Sequence, residues 1–270
     1  MLGKESLQVF LLILRKNNMI DQPKRLAFFL PNTFTALNMA CGFASIIMAW
    51  KGQFYNASMI LLLGAIFDSV DGRVARMTGT QSQFGEQFDS ISDVVSFGMA
   101  PAFLVYNCFF KDLGRLGMVV SFLYLLCGAL RLARFNANID KVSSDYFQGL
   151  PIPTAALGLV GYVLLAIEFH LIKTLTPFTI FYVVLYSLLM ISNIPFYSFK
   201  NATWVKTHKK RVLAIIFLLL ALIFTYEQLM IGVITGAYVL GGLVYFITHK
   251  GALEDVFSWK SENDEINESN

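Results

Sequence analysis

Four aspartates stand inside apolar stretches of this 270-residue chain, in the order Asp68-x-x-Asp71-Gly72-x-x-Ala75-Arg76, then eight residues to Gly85, then Asp89 and Asp93 at four-residue steps. A carboxylate near hydrocarbon costs roughly 2.5–3.5 kcal/mol, so four without compensation would cost about 10–14 kcal/mol. Cations must balance them. On a helix, residues 68, 71, 72, 75 and 76 share one face, which gathers two carboxylates, two small residues and an arginine; residues 85, 89 and 93 share a face on the next helix. Counted outward from Arg76 and Gly85, Asp68 and Asp93 lie equally far out, and Asp71 and Asp89 nearly so, so an antiparallel hairpin pairs the acids by depth. Arg73 and Arg76 alone cannot balance four carboxylates. Hard oxygen ligands at two levels suit one or two Mg2+ or Mn2+ ions, and two divalent ions would cancel the four charges.

The elements that must hold these acids are membrane helices. With 56% hydrophobic and 14% charged residues, the composition is that of an all-α polytopic membrane protein. Apolar windows long enough to cross a bilayer, about 20 residues each, recur at 31–50, 55–77, 87–110, 116–135, 153–172, 177–197, 211–227 and 229–248, about eight transmembrane helices, with Tyr226-Glu227-Gln228 as the turn between the last two. Residues 1–28 read as an N-terminal interfacial helix, its apolar core too short for a signal peptide and its Lys16, Lys24 and Arg25 facing anionic headgroups. Residues 29–250 form the transmembrane domain, and 251–270 a polar tail expected to be disordered. No internal repeat, soluble domain or nucleic-acid partner is expected.

Charge orients the helices. With the N-terminus cytoplasmic, 17 of the 21 Lys and Arg residues fall inside, and only Lys51, Lys111, Arg115 and Lys173 outside. Both termini and the aspartate hairpin then face the cytoplasm, in what is expected to be a bacterial cytoplasmic membrane. A site there is reachable by a soluble substrate from water and by a lipid from the side. Cys41, Cys108 and Cys127 lack any metal or disulfide spacing and read as packing residues, and His170, His208 and His249 are scattered at span ends and loops.

The aspartate pattern resembles the signature of the CDP-alcohol phosphatidyltransferase family at every defining position. That resemblance implies a reaction in which an alcohol attacks the lipid-side phosphorus of a CDP-linked lipid and CMP leaves. It also implies that Asp68, Asp71 and Asp89 are metal ligands, that Asp93 is the fourth acidic position and the base, and that the protein is a homodimer. Gly72, Ala75 and Gly85 lack bulk, so a nucleotide can lie against them; small residues also allow close helix packing. Arg76 can form charge-assisted bonds to phosphate while marking the helix end.

Flanking segments bear on the alcohol. Pro31-Asn32-x-x-Thr35-x-x-Asn38-x-x-x-Gly42-Phe43, Asp93-Val94-Val95-Ser96-Phe97-Gly98-x-x-Pro101, Arg131-Leu132-Ala133-Arg134-Phe135-Asn136 and Phe147-x-Gly149-Leu150-Pro151-x-Pro153 together resemble the membrane-embedded phosphatidylserine synthases over roughly residues 28–160. The expected substrates are therefore CDP-diacylglycerol and L-serine, amid membrane lipids. Arg131 and Arg134, one turn apart, could hold the serine carboxylate as a bidentate pair; equally, they could anchor the inner face or bind lipid phosphate. Thr35 and Asn38 could contact cytosine or phosphate, or serve as interhelical hydrogen-bonding groups. The alternatives are a sister enzyme using glycerol 3-phosphate or inositol phosphate, and, from another class, an ion-coupled transporter. Against the transporter, the acids occupy one hairpin with no duplicate in the other half.

Overall fold

The computed structural model describes residues 22–137, 146–170, 172–197, Leu222 and 225–248. The expected interfacial segment up to residue 21, the polar tail and nearly all of the 211–227 window lie outside these residues. What is described is helical apart from one small strand pair. Helix α1 is Gln22–Trp50, α2 is Phe54–Thr78, and α3 is Gln83–Asp93. The α3 rod continues without a break to Leu113, through a π-helical stretch Val94–Met99, helix α4 (Ala100–Val105), a second π stretch Tyr106–Phe110 and a 3-10 turn. Helix α5 is Arg115–Ala137, α6 is Ile152–Glu168, α7 is Ile172–Ile191 and α8 is Glu227–Thr248. Strands β1 (Tyr146–Gln148) and β2 (Pro195–Tyr197) pair antiparallel, with Phe147 opposite Phe196.

Among the described residues, four helical segments are long and apolar enough to cross a membrane: Phe29–Trp50, Gln83–Leu113, Arg115–Ala137 and Gln228–Thr248. Helices α6 and α7 supply shorter apolar stretches. Helix α2 is as long, but it carries Asp68, Asp71, Arg73 and Arg76, which dilute its apolar character. Phe122, Leu130, Leu240 and Val244 are exposed on outer faces, where a bilayer would cover them.

Several boundaries move from their sequence positions. α1 starts at Gln22, passing through Pro31 rather than starting there; the hydroxyl of Thr33 donates back to the carbonyl of Phe29 in the turn around it. α6 stops at Glu168, short of the expected 172, and His170 takes a positive φ of 54°. α7 starts at Ile172 and continues through Pro177, the expected start. It ends at Ile191, so the last residues of the 177–197 window form β2 instead.

Close approaches between helices fall where side chains are absent. A Cβ on Gly42 of α1 would lie 2.7 Å from Ser96 Oγ and 2.8 Å from Ser96 Cα, so α1 and the π stretch meet backbone to backbone. A Cβ on Gly161 of α6 would lie 2.6 Å from the Gly232 nitrogen of α8. Pro101 has no N–H for the Phe97 carbonyl one turn back. The buried Tyr124 hydroxyl of α5 donates to that carbonyl at 3.2 Å.

Arg134 ties the end of α5 to the far half of the chain. Its guanidinium donates to the carbonyls of Ile191 (2.9 Å), Gln148 (3.1 Å), Ser192 (3.1 Å) and Met190 (3.3 Å), and to Asn193 Oδ1 (3.2 Å). The carbonyls at the end of α7 have no further turn to bond, and a cation there also meets the negative end of the helix dipole. Gly149 closes the clamp with φ 75°, its N–H donating to the Ile194 carbonyl. Arg134→Ala should lower the stability of the detergent-solubilised protein by roughly 1.5–3 kcal/mol, the worth of a hydrogen bond to a charged group, and Arg134→Lys should restore only part, because an ammonium cannot span the fork. Thermal unfolding of the three proteins checks this; equal midpoints would refute the clamp.

Candidate metal and nucleotide site

The site is built at the hairpin between α2 and α3. α2 ends at Gly79, whose left-handed φ of 63° lets its N–H return to the Ala75 carbonyl. α3 starts at Ser82, whose hydroxyl accepts the Gly85 N–H at 3.0 Å. This tight reversal brings the acids of the two helices together. Asp68, Asp71 and Asp89 each present an oxygen within 4.8 Å of the others. Asp93 lies one turn deeper on α3, within side-chain hydrogen-bonding reach of Asp68, so the deeper pair meets as helical spacing implies.

The protein satisfies these carboxylates unequally. Thr35 Oγ1 donates to Asp71 Oδ2 at 2.8 Å, and the Gly72 N–H donates to Asp71 Oδ1. Asn38 Nδ2 donates to Asp68 Oδ1 at 3.4 Å. On α3, by contrast, Asp89 Oδ1 and Asp93 Oδ1 are buried with no hydrogen-bond partner among the described residues. Two carboxylates 4.8 Å apart repel by about 3.5 kcal/mol at an effective dielectric of ~20, and three such pairs need countercharge. Orphaned acceptor oxygens beside an all-carboxylate donor set fit Mg2+ or Mn2+, which take hard oxygen ligands.

Beside the acids a cleft opens, lined by Thr35 of α1, by Asp71, Gly72, Ala75 and Arg76 of α2 and by Gly85 and Asp89 of α3. Its cavity volume is about 170 Å³, below the ~300–1,000 Å³ usual for small-molecule sites. A Cβ on Gly85 would stand 3.2 Å from Ser82 Oγ and 3.5 Å from Asn32 Oδ1, and one on Gly72 would stand 3.5 Å from Arg76 Nη1. Both glycines therefore leave room where a side chain would narrow the cleft. Asn32, Ser82 and Glu86 also line it, and sequence reasoning gave none of them a role. Asn32 falls in the quoted Pro31-Asn32-x-x-Thr35 segment; Ser82 and Glu86 sit in the stretch of the signature that fixes no identity.

Three other expected residues lie apart from the cleft wall. Asn38 is fully buried beneath the carboxylates. Arg131 is 6% exposed, its guanidinium lies 5.5 Å from the Phe135 ring centre, its Nε has no partner among the described residues, and it sits in electrostatic range of Asp93. Arg134 points elsewhere, engaged at the end of α7. One turn of α5 thus separates Arg131, in electrostatic range of Asp93, from Arg134, whose guanidinium is engaged by the backbone carbonyls of Gln148 and of residues 190–192.

Asp71→Asn and Asp89→Asn should each weaken saturable Mn2+ binding to the purified protein by at least about 10-fold, through loss of one anionic ligand. Titration followed by the free-ion resonance signal checks this. Native affinity in either variant would exclude that residue as a ligand.

Comparison with known proteins agrees with this architecture. Residues 28–241 match the CDP-alcohol phosphatidyltransferase family. The chain is 39% identical over 221 residues to a CDP-diacylglycerol--serine O-phosphatidyltransferase of Helicobacter pylori, covering 82% of this chain and 92% of that protein. It is 43% identical over 171 residues to a protein of the same name from Methanocaldococcus jannaschii, covering 63% and 75%. To an archaetidylserine synthase of Methanothermobacter thermautotrophicus it is 38% identical over 181 residues, covering 66% and 74%. The match spans every helix that carries an acid of the cluster, and the chain belongs to the CDP-alcohol phosphatidyltransferase family.

Proposed function

We propose that this protein transfers the phosphatidyl group of CDP-diacylglycerol to the hydroxyl of L-serine, giving phosphatidylserine and CMP. The observation that carries the reading is the cluster of Asp68, Asp71 and Asp89, of which Asp71 and Asp89 line the α2–α3 cleft, with the unpartnered Asp93 Oδ1 one turn deeper. The names of the relatives point to serine as the acceptor. A pair of Mg2+ or Mn2+ ions held by Asp68, Asp71 and Asp89, with Asp93 able to join them, would neutralise charge on the diphosphate.

Each remaining step falls to the chain itself. Gly72, Ala75 and Gly85 leave the cleft wall open for the nucleotide, and Arg76 donates to its phosphates. Asp93 takes the proton from the serine hydroxyl as the oxygen attacks the lipid-side phosphorus. The bond from that phosphorus to the CMP oxygen breaks, and CMP carries away the electron pair. Arg131, buried next to Asp93, supplies the charge to hold the serine carboxylate. Excess Lys and Arg on the segments assigned to the inside support a cytoplasmic opening, eight crossings and both termini inside a bacterial cytoplasmic membrane. Family membership supports a homodimer.

The deciding experiment incubates purified protein with CDP-diacylglycerol, Mn2+ or Mg2+, and serine, glycerol 3-phosphate or inositol phosphate in parallel. CMP release with serine and a phosphatidylserine product is expected. Product with another alcohol would reassign the acceptor, and cation-driven flux without CMP would make the protein a transporter. Arg131→Ala should raise the KM for serine more than that for CDP-diacylglycerol, measured by initial rates; equal effects would return Arg131 to lipid phosphate. Asp93→Asn should slow the chemical step about 10²–10⁴-fold, and a chirally labelled donor should show inversion at phosphorus. Net retention would mean two displacements and end the role of Asp93 as base.

A further inference from the structure

Helix α1 carries no acid, yet it is bonded to both helical segments that surround the cluster. Thr35 and Asn38 lie one turn apart on it, 3% and 0% exposed. Their side chains reach α2, where Thr35 Oγ1 donates to Asp71 and Asn38 Nδ2 to Asp68. Their backbone carbonyls receive α3 and its π extension, where Ser92 Oγ donates to the Thr35 carbonyl at 3.1 Å and Ser96 Oγ to the Asn38 carbonyl at 3.0 Å. The same two residues thus face α2 with their side chains and α3 with their backbone.

We propose that Thr35 and Asn38 are positioning residues that orient the α2 carboxylates for the divalent cation and so set its affinity. The inference rests on the assignment of the acids as a metal site. A carboxylate can turn about its terminal bond, and a buried one surrounded by like charges turns away from them. Asp71 is held against this on both oxygens, by the Thr35 hydroxyl and the Gly72 N–H. One of its oxygens lies within 4.8 Å of an oxygen of Asp68 and of Asp89. Asp68 is held more loosely, through the longer Asn38 bond. Partners of this kind, one bond removed from the metal, typically contribute 10–100-fold in affinity.

Thr35→Val removes the hydroxyl and keeps the shape. Mn2+ titrated into purified, substrate-free protein should bind about 10–100-fold more weakly to it, and Asn38→Leu should fall at the lower end of that range. Thr35→Ser should bind like the native protein. At saturating Mn2+, turnover of Thr35→Val should recover to within a few-fold of native. Thr35→Ala, measured alongside, should match Thr35→Val and stands in for it should the valine variant fail to fold.

Unchanged Mn2+ affinity with a raised KM for CDP-diacylglycerol would overturn the proposal and give these residues to the nucleotide. Weakened binding that Thr35→Ser does not restore, together with a lower thermal midpoint, would overturn it in favour of general packing. If the native protein binds Mn2+, and the variants weaken that binding as expected, but no alcohol releases CMP, phosphatidyl transfer fails while the positioning role stands.

Discussion

Everything in this molecule is arranged around the mutual repulsion of carboxylates that the membrane would not otherwise admit. Each close pair costs a few kcal/mol at an effective dielectric of ~20, and hydrocarbon on the outer faces offers no water to relieve it. The fold answers in three ways. Hydrogen-bond donors on α1 and at Gly72 hold the two acids of α2. The buried guanidinium of Arg131 stands near Asp93. The Oδ1 atoms of Asp89 and Asp93, which have no partner among the described residues, could accept cations.

The π-helical stretch immediately after Asp93 belongs to the same arrangement. A π turn inserts one residue into the helical register, and such insertions gather at functional sites. Here α3 enters the stretch with Asp89, Ser92 and Asp93 on the inward side, and the serine repeat continues at Ser96. The rod beyond it is anchored by the Tyr124 hydroxyl at the Phe97 carbonyl. Deeply placed acids are thereby attached to a segment gripped from both α1 and α5.

The hairpin could be read in the sequence because its logic is local. Helical periodicity over 26 residues fixes which acids share a face, and the short reversal at Gly79–Ser82 fixes their pairing by depth. Thr35 and Asn38 could be read only as two alternatives, since their partners lie 36 and 30 residues away. Arg134 was legible as a cation near the site but not as a clamp: its acceptors are backbone carbonyls, which every residue carries, so no side-chain pattern marks them. The β1–β2 pair was hidden for a similar reason. Three-residue strands carry no alternation to detect, and apolar residues such as Phe196 look like the end of a membrane span. Helix ends shifted where Pro31 and Pro177 were read as starts, although both lie inside longer helices.

The contact between Gly42 and Ser96 gives the site a mechanical tolerance. Because the nearest atoms to a Cβ at position 42 include Ser96 Cα as well as its hydroxyl, trimming Ser96 would not make room for a larger residue. The two helices would have to separate. α2 is tied to α1 and α3 is tied to α1, so a change in that one spacing becomes a change in the gap between Asp68 and Asp71 on one side and Asp89 and Asp93 on the other. Octahedral Mg2+ accepts oxygen distances only near 2.0–2.1 Å, whereas larger ions are more forgiving. The thickness of one glycine therefore acts as a gauge for the width of the carboxylate jaw.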